Sequence, residues 1–334
     1  MKIRMLANGP SKQADWQDEL RQAIHNPLHL LELLEIAESQ LAHRLMVQPH
    51  FKLQVPKGYV ARMQKGDPND PLLRQVLPLI DEQKQVLGFG VDPVGDSAAE
   101  KVPGLLQKYQ GRILWLTTTA CAIHCRYCFR QHYPTSKTKL YYQRVLDTIR
   151  ADTSITEVIL SGGDPLMLLD SDLAEMAKSL ADIPQVQRLR LHTRLPIVLP
   201  TRVNNELLTW LTETRLQLIV VVHANHANEI DNEVKSALQK LVTAGITVLN
   251  QSVLLRGIND NATALMALSE ILFDSRVLPY YLHVLDRVQG AAHFEVPEQT
   301  ALELLEKMRV ALPGYLVPKL VREVTGMAYK KSLL

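Results

Sequence analysis

The sequence is poor in cysteine, with three residues in 334. An odd number cannot all pair, and the three lie together at Cys121, Cys125 and Cys128, which excludes a disulfide framework and leaves a cofactor site. A surplus of either charge is also missing. With 37 Lys plus Arg against 35 Asp plus Glu and a formal charge of +2, no field singles out nucleic acid or an anionic membrane as a partner. Long hydrophobic runs are absent too. The most apolar stretch, Leu216 to Val222, falls far short of the roughly 20 residues that span a bilayer, and the opening MKIRMLANGP lacks the apolar stretch of a signal peptide. A cytoplasmic protein is therefore expected, in a compartment where thiols stay reduced and clustered cysteines bind metal or act in catalysis.

What is present is periodicity. Residues 12 to 48 repeat apolar side chains at helix-face spacing, clearest at Leu30, Leu31, Leu34 and Leu41, and predict a helical opening segment. From Val55 to Pro103 the text turns rich in Pro, Gly and Asp, which predicts turns and short helices. Beyond it, β-rich apolar runs at Ile113 to Thr118, Glu157 to Leu160, Arg188 to His192, Leu216 to His223, Ile246 to Val253 and Leu278 to Val284 alternate with helix-like stretches. Those stretches run Tyr142 to Arg150, Asp172 to Leu180, Asn204 to Thr214, Glu229 to Ala244, Ala262 to Phe273 and Glu298 to Val310. Such alternation reads as βαβ units around a parallel sheet, and right-handed crossovers wind six of them into an open or partial barrel. The expected class is α/β, a partial (β/α)6 barrel over 106–315, preceded by a mostly helical extension over 1–105 and followed by a C-terminal segment, 316–334. Functional residues are expected at the C-terminal ends of the strands.

Directly after the first strand stands Cys121-Ala122-Ile123-His124-Cys125-Arg126-Tyr127-Cys128, a C-x3-C-x2-C spacing on a loop. Three thiolates around a four-iron cubane leave one iron open to another ligand. Structural zinc, with His124 or His132 as fourth ligand, is the competing reading of the spacing.

The same residues resemble the signature of radical S-adenosylmethionine enzymes. CRYCFR, ILSGGDPL, HTRLPIVLP, HANHANE, LNQSVLLRGIND and the aspartate of HVLD, in that order, resemble lysine 2,3-aminomutase over roughly residues 95 to 330. The resemblance implies a [4Fe-4S] cluster on Cys121, Cys125 and Cys128, with S-adenosylmethionine on the open iron. It also implies adenosylmethionine contacts from Ser161, Gly162, Gly163 and Asp164 at the end of the second strand. Glycine, lacking a Cβ, lets backbone come close to a ligand. His223 or His226, with His226 preferred, and Gln251 are further candidates for the same ligand.

Aminomutases of this family also use pyridoxal 5'-phosphate. The resemblance places its lysine at Lys330, seven residues after Glu323, with Lys331 as the adjacent alternative. Lys108, Tyr109 and Arg112 match the family's phosphate contacts. Arg130 matches the arginine that grips the substrate carboxylate, while Asp286 and Glu323 match the acids that hold the distal amine of L-lysine. Here Glu323 stands where the family has an aspartate, and Gly326-Met327-Ala328-Tyr329 replaces a glycine-rich run. The added methylene is expected to influence product handedness.

The short C-terminal region resembles the branch that converts (S)-α-lysine to (R)-β-lysine for modification of elongation factor P. That branch implies a ligase and elongation factor P as functional partners, and a flavodoxin or ferredoxin as electron donor. The alternatives are a free-standing aminomutase for lysine or another amino acid, and a non-enzymatic zinc- or cluster-binding protein.

Overall fold

The computed structural model describes residues 15–41, 44–133 and 141–333. The chain opens with α1 (Asp15–Arg21), α2 (Pro27–Leu33) and α3 (Lys57–Val60), with 3-10 turns among the irregular segments around them. The expected helical opening is thus broken into pieces, and residues 12–14 and 42–43 of that stretch lie outside the described residues. The break has local causes. Pro27 lacks an N–H and begins a new helix, with the Asn26 side chain accepting from the Leu28 amide as its cap, and Glu35 turns out of that helix at φ 57°. The apolar positions still find the core, because Leu30, Leu31, Leu34 and Leu41 are all buried.

A ten-stranded sheet then forms in sequence order. β1 (Glu100–Val102), β2 (Leu105–Tyr109) and β3 (Arg112–Thr118) pair antiparallel. From β3 the sheet turns parallel through β4 (Glu157–Gly162), β5 (Arg188–Thr193), β6 (Gln217–Val222), β7 (Thr247–Val253), β8 (Leu278–His283) and β9 (Lys319–Arg322). β10 (Lys331–Ser332) closes the order antiparallel to β9. Crossovers are carried by α4 (Tyr142–Ala151), α5 (Asp170–Ala181), α6 (Leu195–Val198) with α7 (Asn205–Glu213), α8 (Asn232–Thr243), α9 (Ala262–Asp274) and α10 (Glu298–Ala311). All six predicted strands and six long helices are present, in an α/β sheet whose first and last strands do not pair with each other among the described residues. Strands such as β4, with Val158 to Ser161 all buried, are covered on both faces, as parallel sheets require.

Two features depart from the expected organisation. β1 and β2 lie before the first predicted strand, and β9 and β10 lie after the last, so the sheet runs across both expected boundaries. In addition, Trp16, Leu30, Leu72 and Tyr59 of the opening segment share one apolar core with Leu160, Leu191 and Val222 of the barrel. The opening segment is part of the barrel's core.

Candidate active site

Parallel pairing brings the C-terminal ends of β3 to β8 to one edge, and a cavity opens there. Its wall includes all three cysteines together with Lys330, Arg130, Asp286 and Glu323. Lys108, Tyr109, Arg112, Ser161, Gly162, Gly163, Asp164 and Gln251 also line it. His226 does not appear among the lining residues; it caps a 3-10 turn, its Nδ1 accepting from the Asn228 amide at 3.2 Å. His223, one residue beyond β6, lines the cavity instead, with its Nε2 2.8 Å from Gln251 Nε2.

At one end of the cavity the β9–β10 pairing explains the seven-residue spacing. Lys331 pairs with Arg322 and Ser332 with Val321. One rung further out on the same antiparallel ladder, Lys330 faces Glu323, and their charged groups meet at 2.5 Å. Neighbouring strand residues point to opposite sides, so Lys330 lines the cavity while Lys331 is exposed. Glu323 also accepts from the Tyr109 hydroxyl at 2.5 Å, and Lys108 Nζ stands 3.9 Å away. Burial pushes the Glu323 carboxyl up, but Lys330, Tyr109 and Lys108 outweigh it and hold the group below its ordinary range. Tyr109 and Arg112 flank a tight turn between β2 and β3 with Gly111 at φ 76°, which lays the Arg112 guanidinium 4.5 Å over the Tyr109 ring. Asp286, beyond β8, has its carboxyl pushed up to about 6 by burial, against the pull of Lys330.

Toward the middle, Arg130 donates through Nε to Asp96 at 2.7 Å and through one terminal nitrogen to Ser161 Oγ at 3.3 Å. Two of the five guanidinium N–H groups are thereby engaged. Asp96 also takes Lys108 Nζ at 2.7 Å, and these two cations hold its buried carboxyl below the ordinary range despite desolvation. Nε2 of His192 and of His283, both in the cavity wall, is buried with no hydrogen-bond partner among the described residues. Burial keeps both imidazoles neutral. A cavity with unanswered polar atoms beside paired cations and anions suits a small polar, charged occupant.

At the other end, the cysteine loop meets the glycines of β4. A Cβ on Gly163 stands 2.3 Å from the Ala120 carbonyl oxygen, and one on Gly162, at φ 128°, stands 2.2 Å from that of Thr118. The glycines therefore admit the backbone of the cysteine loop as well as facing the cavity. Asp164 is wholly occupied in joining strand ends. Its carboxylate accepts from the amides of Leu166, Arg194 and Leu195 and from Thr193 Oγ1, and burial still pushes it up to about 6. No oxygen of Asp164 is left without a protein donor, which assigns it to the frame of the site.

The cysteines suit an iron–sulfur cluster better than one zinc ion. His124 stacks on Phe51 and directs Nδ1 to the Lys52 carbonyl at 2.7 Å, while His132 Nε2 lies 3.1 Å from the Gln289 carbonyl. Among the described residues no three His, Cys, Asp or Glu side chains gather closely enough to hold a single metal ion. A cubane takes each thiolate on a separate iron. Burial raises the Cys121 thiol well above its ordinary value and pushes Cys128 up to about 11, so a thiolate at either position needs positive charge beside it, as bound metal supplies.

Sequence reasoning missed several residues of this region. Arg194 donates to Cys125 Sγ at 2.6 Å, and Asp96 holds Arg130 and Lys108. Asn225 donates to Tyr127 Oη at 2.6 Å and caps the β7 end by accepting from the Val253 amide at 2.8 Å. Arg194 and Asn225 stood inside quoted motifs, HTRLPIVLP and HANHANE, but Asp96 lies in a turn-rich stretch with no signal beyond its charge.

Residues 115–268 match the Radical SAM superfamily. Over its full length the chain is similar to curated proteins named L-lysine 2,3-aminomutase. The Haemophilus influenzae protein is 44% identical over 97% of both chains, and the Escherichia coli protein 46% identical over 98% of this chain and 96% of its own. The Clostridium subterminale protein is 32% identical over 96% of this chain and 78% of its own. Among solved structures, Streptococcus suis SuiB bound to S-adenosylmethionine superposes with a TM-score of 0.49 at 9% identity. That match covers 65% of this chain and about half, 51%, of the SuiB chain. Among the described residues no helix is long and apolar enough to cross a membrane. Full-length identity of 44–47% to three relatives, together with the superfamily match around the cysteine loop, shows that the chain belongs to the L-lysine 2,3-aminomutase family of radical S-adenosylmethionine proteins.

Proposed function

We propose that the protein converts (S)-α-lysine to (R)-β-lysine in the cytoplasm, for attachment to elongation factor P by a ligase, with electrons from a flavodoxin or ferredoxin. When bound, the cluster with S-adenosylmethionine supplies a 5'-deoxyadenosyl radical that takes and returns one hydrogen atom, and pyridoxal phosphate carries the migrating nitrogen from C2 to C3. In this reading Cys121, Cys125 and Cys128 hold the cluster, and Gly162, Gly163, His223 and Gln251 form the adenosylmethionine side of the cavity. Lys330 is the attachment point for pyridoxal phosphate. Tyr109, Lys108 and Arg112 surround that end as the cationic and hydroxyl groups a phosphate needs.

The observation that carries the substrate assignment is the Lys330–Glu323 contact at 2.5 Å. Glu323 already holds a primary ammonium, the same group that ends the lysine side chain, so its carboxylate suits the distal ammonium of the substrate. Asp286, in the same wall, supplies the second anion. Arg130 presents its remaining N–H groups to the substrate carboxylate, a planar match that a lysine cannot make. Held at both ends, the substrate offers its C2–C3 segment between the cysteine loop and Lys330, away from water.

The test is anaerobic incubation of reconstituted, reduced protein with L-lysine, S-adenosylmethionine and pyridoxal phosphate, followed by chiral separation of α- from β-lysine. (R)-β-lysine is the expected product. A fully iron-loaded protein that leaves lysine unchanged is not a lysine aminomutase.

A further inference from the structure

A fixed positive charge sits against one of the three cysteines. Arg194, one residue past β5, donates from a terminal nitrogen to Cys125 Sγ at 2.6 Å and from the same nitrogen to the Tyr127 hydroxyl. Its other terminal nitrogen reaches Glu229 Oε2 at 2.8 Å, Gln75 Oε1 at 2.8 Å and Tyr59 Oη at 3.2 Å. The group is enclosed: Arg194 is 7% exposed, Asn225 2%, and Gln75 and Glu229 are at 0%. The Glu229 carboxylate is itself held by the Asn225 and His226 amides at 2.8 and 3.1 Å and by Gln75 Nε2 at 3.1 Å. The guanidinium cannot rotate away without leaving this buried carboxylate without the cation that contacts it. Linking Tyr59, Gln75 and Glu229 would tie the opening segment to the barrel without any sulfur contact, so the donation to Cys125 is an additional role.

We propose that Arg194 is a positioning residue for the iron–sulfur cluster, raising its reduction potential by donating a charged N–H to the Cys125 sulfur, with buried Glu229 as the counter-charge that tempers the effect. The inference rests on the assignment of Cys125 to the cluster. Adding an electron makes the cluster more negative, and a cation fixed at a ligand sulfur in a water-poor site favours the reduced form. Only a forked side chain reaches a sulfur on one side and a carboxylate on the other. Lysine carries the same charge on a single nitrogen and cannot span both.

The experiment compares the whole protein with Arg194→Lys and Glu229→Gln. Each is reconstituted anaerobically with iron and sulfide and titrated with dithionite and mediator dyes, without S-adenosylmethionine, pyridoxal phosphate or lysine. The midpoint potential is read by electron paramagnetic resonance. Arg194→Lys is expected to shift the midpoint negative at unchanged iron content. Glu229→Gln leaves the arginine in place without its counter-charge and is expected to shift the midpoint positive. A merely structural arginine gives no such opposite pair of signs. Unchanged midpoints in both variants overturn the proposal, and so does loss of the cluster from both, which would make Arg194 a support for the loop. If Arg194→Lys alone fails to retain iron, a midpoint of Glu229→Gln that stays put or moves negative overturns it. Failure of the unaltered protein to take up a cluster would instead remove the cysteine assignment.

Discussion

A carboxyl group withdrawn from water is a weaker acid, and Asp286 carries that cost in the cavity wall. Burial pushes it up to about 6 from the ordinary 3.8, while Lys330 and Lys108 pull it down and Glu323 and Asp96 push it further up. The consequence for stability has a definite sign. Because the folded value lies above the unfolded one, this group's favourable contribution is full below about pH 4 and is lost as pH rises through 6. In the proposed function the binding of lysine has the opposite need, since its ammonium calls for the Asp286 carboxylate. KM for lysine is therefore expected to rise as pH falls through about 6, and Asp286→Asn should flatten that dependence. Loss of a charged hydrogen bond of about 1.5–3 kcal/mol corresponds to an increase in KM of roughly 10- to 150-fold. Initial rates between pH 5 and 8 test both statements, and a variant with unchanged KM removes Asp286 from the substrate site. At this scale the sequence was most readable where chemistry and spacing were local, as in the cysteine triplet and the Glu323–Lys330 step. Arg194 and Asp96 were hidden because each takes its meaning from partners on other elements, Arg194 from Cys125 at a separation of 69 and Asp96 from Lys108 on β2 and from Arg130 at a separation of 34.

Elements of the barrel were legible because each carried its own period. β6 reads QLIVVV and α10 repeats Ala301, Leu304, Leu305 and Met308 as its buried face, so the strand and helix signals needed no tertiary context. β9 and β10 escaped because four and two residues make no detectable alternation; they exist by pairing with β8 and with each other. The opening helices were overcalled because a buried apolar stripe survives when Asn26-Pro27 and Glu35 divide the backbone. The contact between β4 and the cysteine loop is likewise an element-level property, and it makes Gly163 testable. Its added Cβ would lie 2.3 Å from the Ala120 carbonyl oxygen and 2.6 Å from the Thr119 carbonyl carbon, both backbone atoms that cannot rotate aside. Gly163→Ala should cost about 1–3 kcal/mol, as overpacking does, and should lower iron retained per chain. Gly58→Ala, in α3 with nothing within 4 Å of the added carbon, is the matched control and should lower neither. Thermal melts with iron analysis decide the matter, and equal behaviour of the two variants would show that the loop yields without cost.

Across the whole molecule the opening segment acts as the outer half of the cysteine loop's mould. Gln54 donates to the Cys121 carbonyl at 2.8 Å, the His124 amide to the Gln54 carbonyl at 2.9 Å, and the Arg126 amide to the Gln75 carbonyl at 2.9 Å. The Arg126 side chain, 1% exposed, goes further: its Nε reaches Glu82 Oε1 at 2.8 Å, a terminal nitrogen reaches the Phe51 carbonyl at 2.6 Å, and the group lies 5.0 Å over the Phe51 ring. Composition divided the chain near residue 105, since Pro, Gly and Asp thin out there, but composition cannot show which backbone groups a loop will satisfy. If the segment and barrel are one cooperative unit, breaking this pair from one side should weaken everything at once. Arg126→Met leaves Glu82 without its partner and is expected to cost about 3–5 kcal/mol, whereas Arg126→Met with Glu82→Leu should recover a large part of that loss. Urea unfolding followed both by far-ultraviolet circular dichroism and by tryptophan fluorescence measures it, because Trp16 lies in the opening segment while Trp115 and Trp210 lie in the barrel. Coincident transitions that shift together support a single unit. An early fluorescence transition in the single variant, with the barrel's helical signal intact, would show a separable segment.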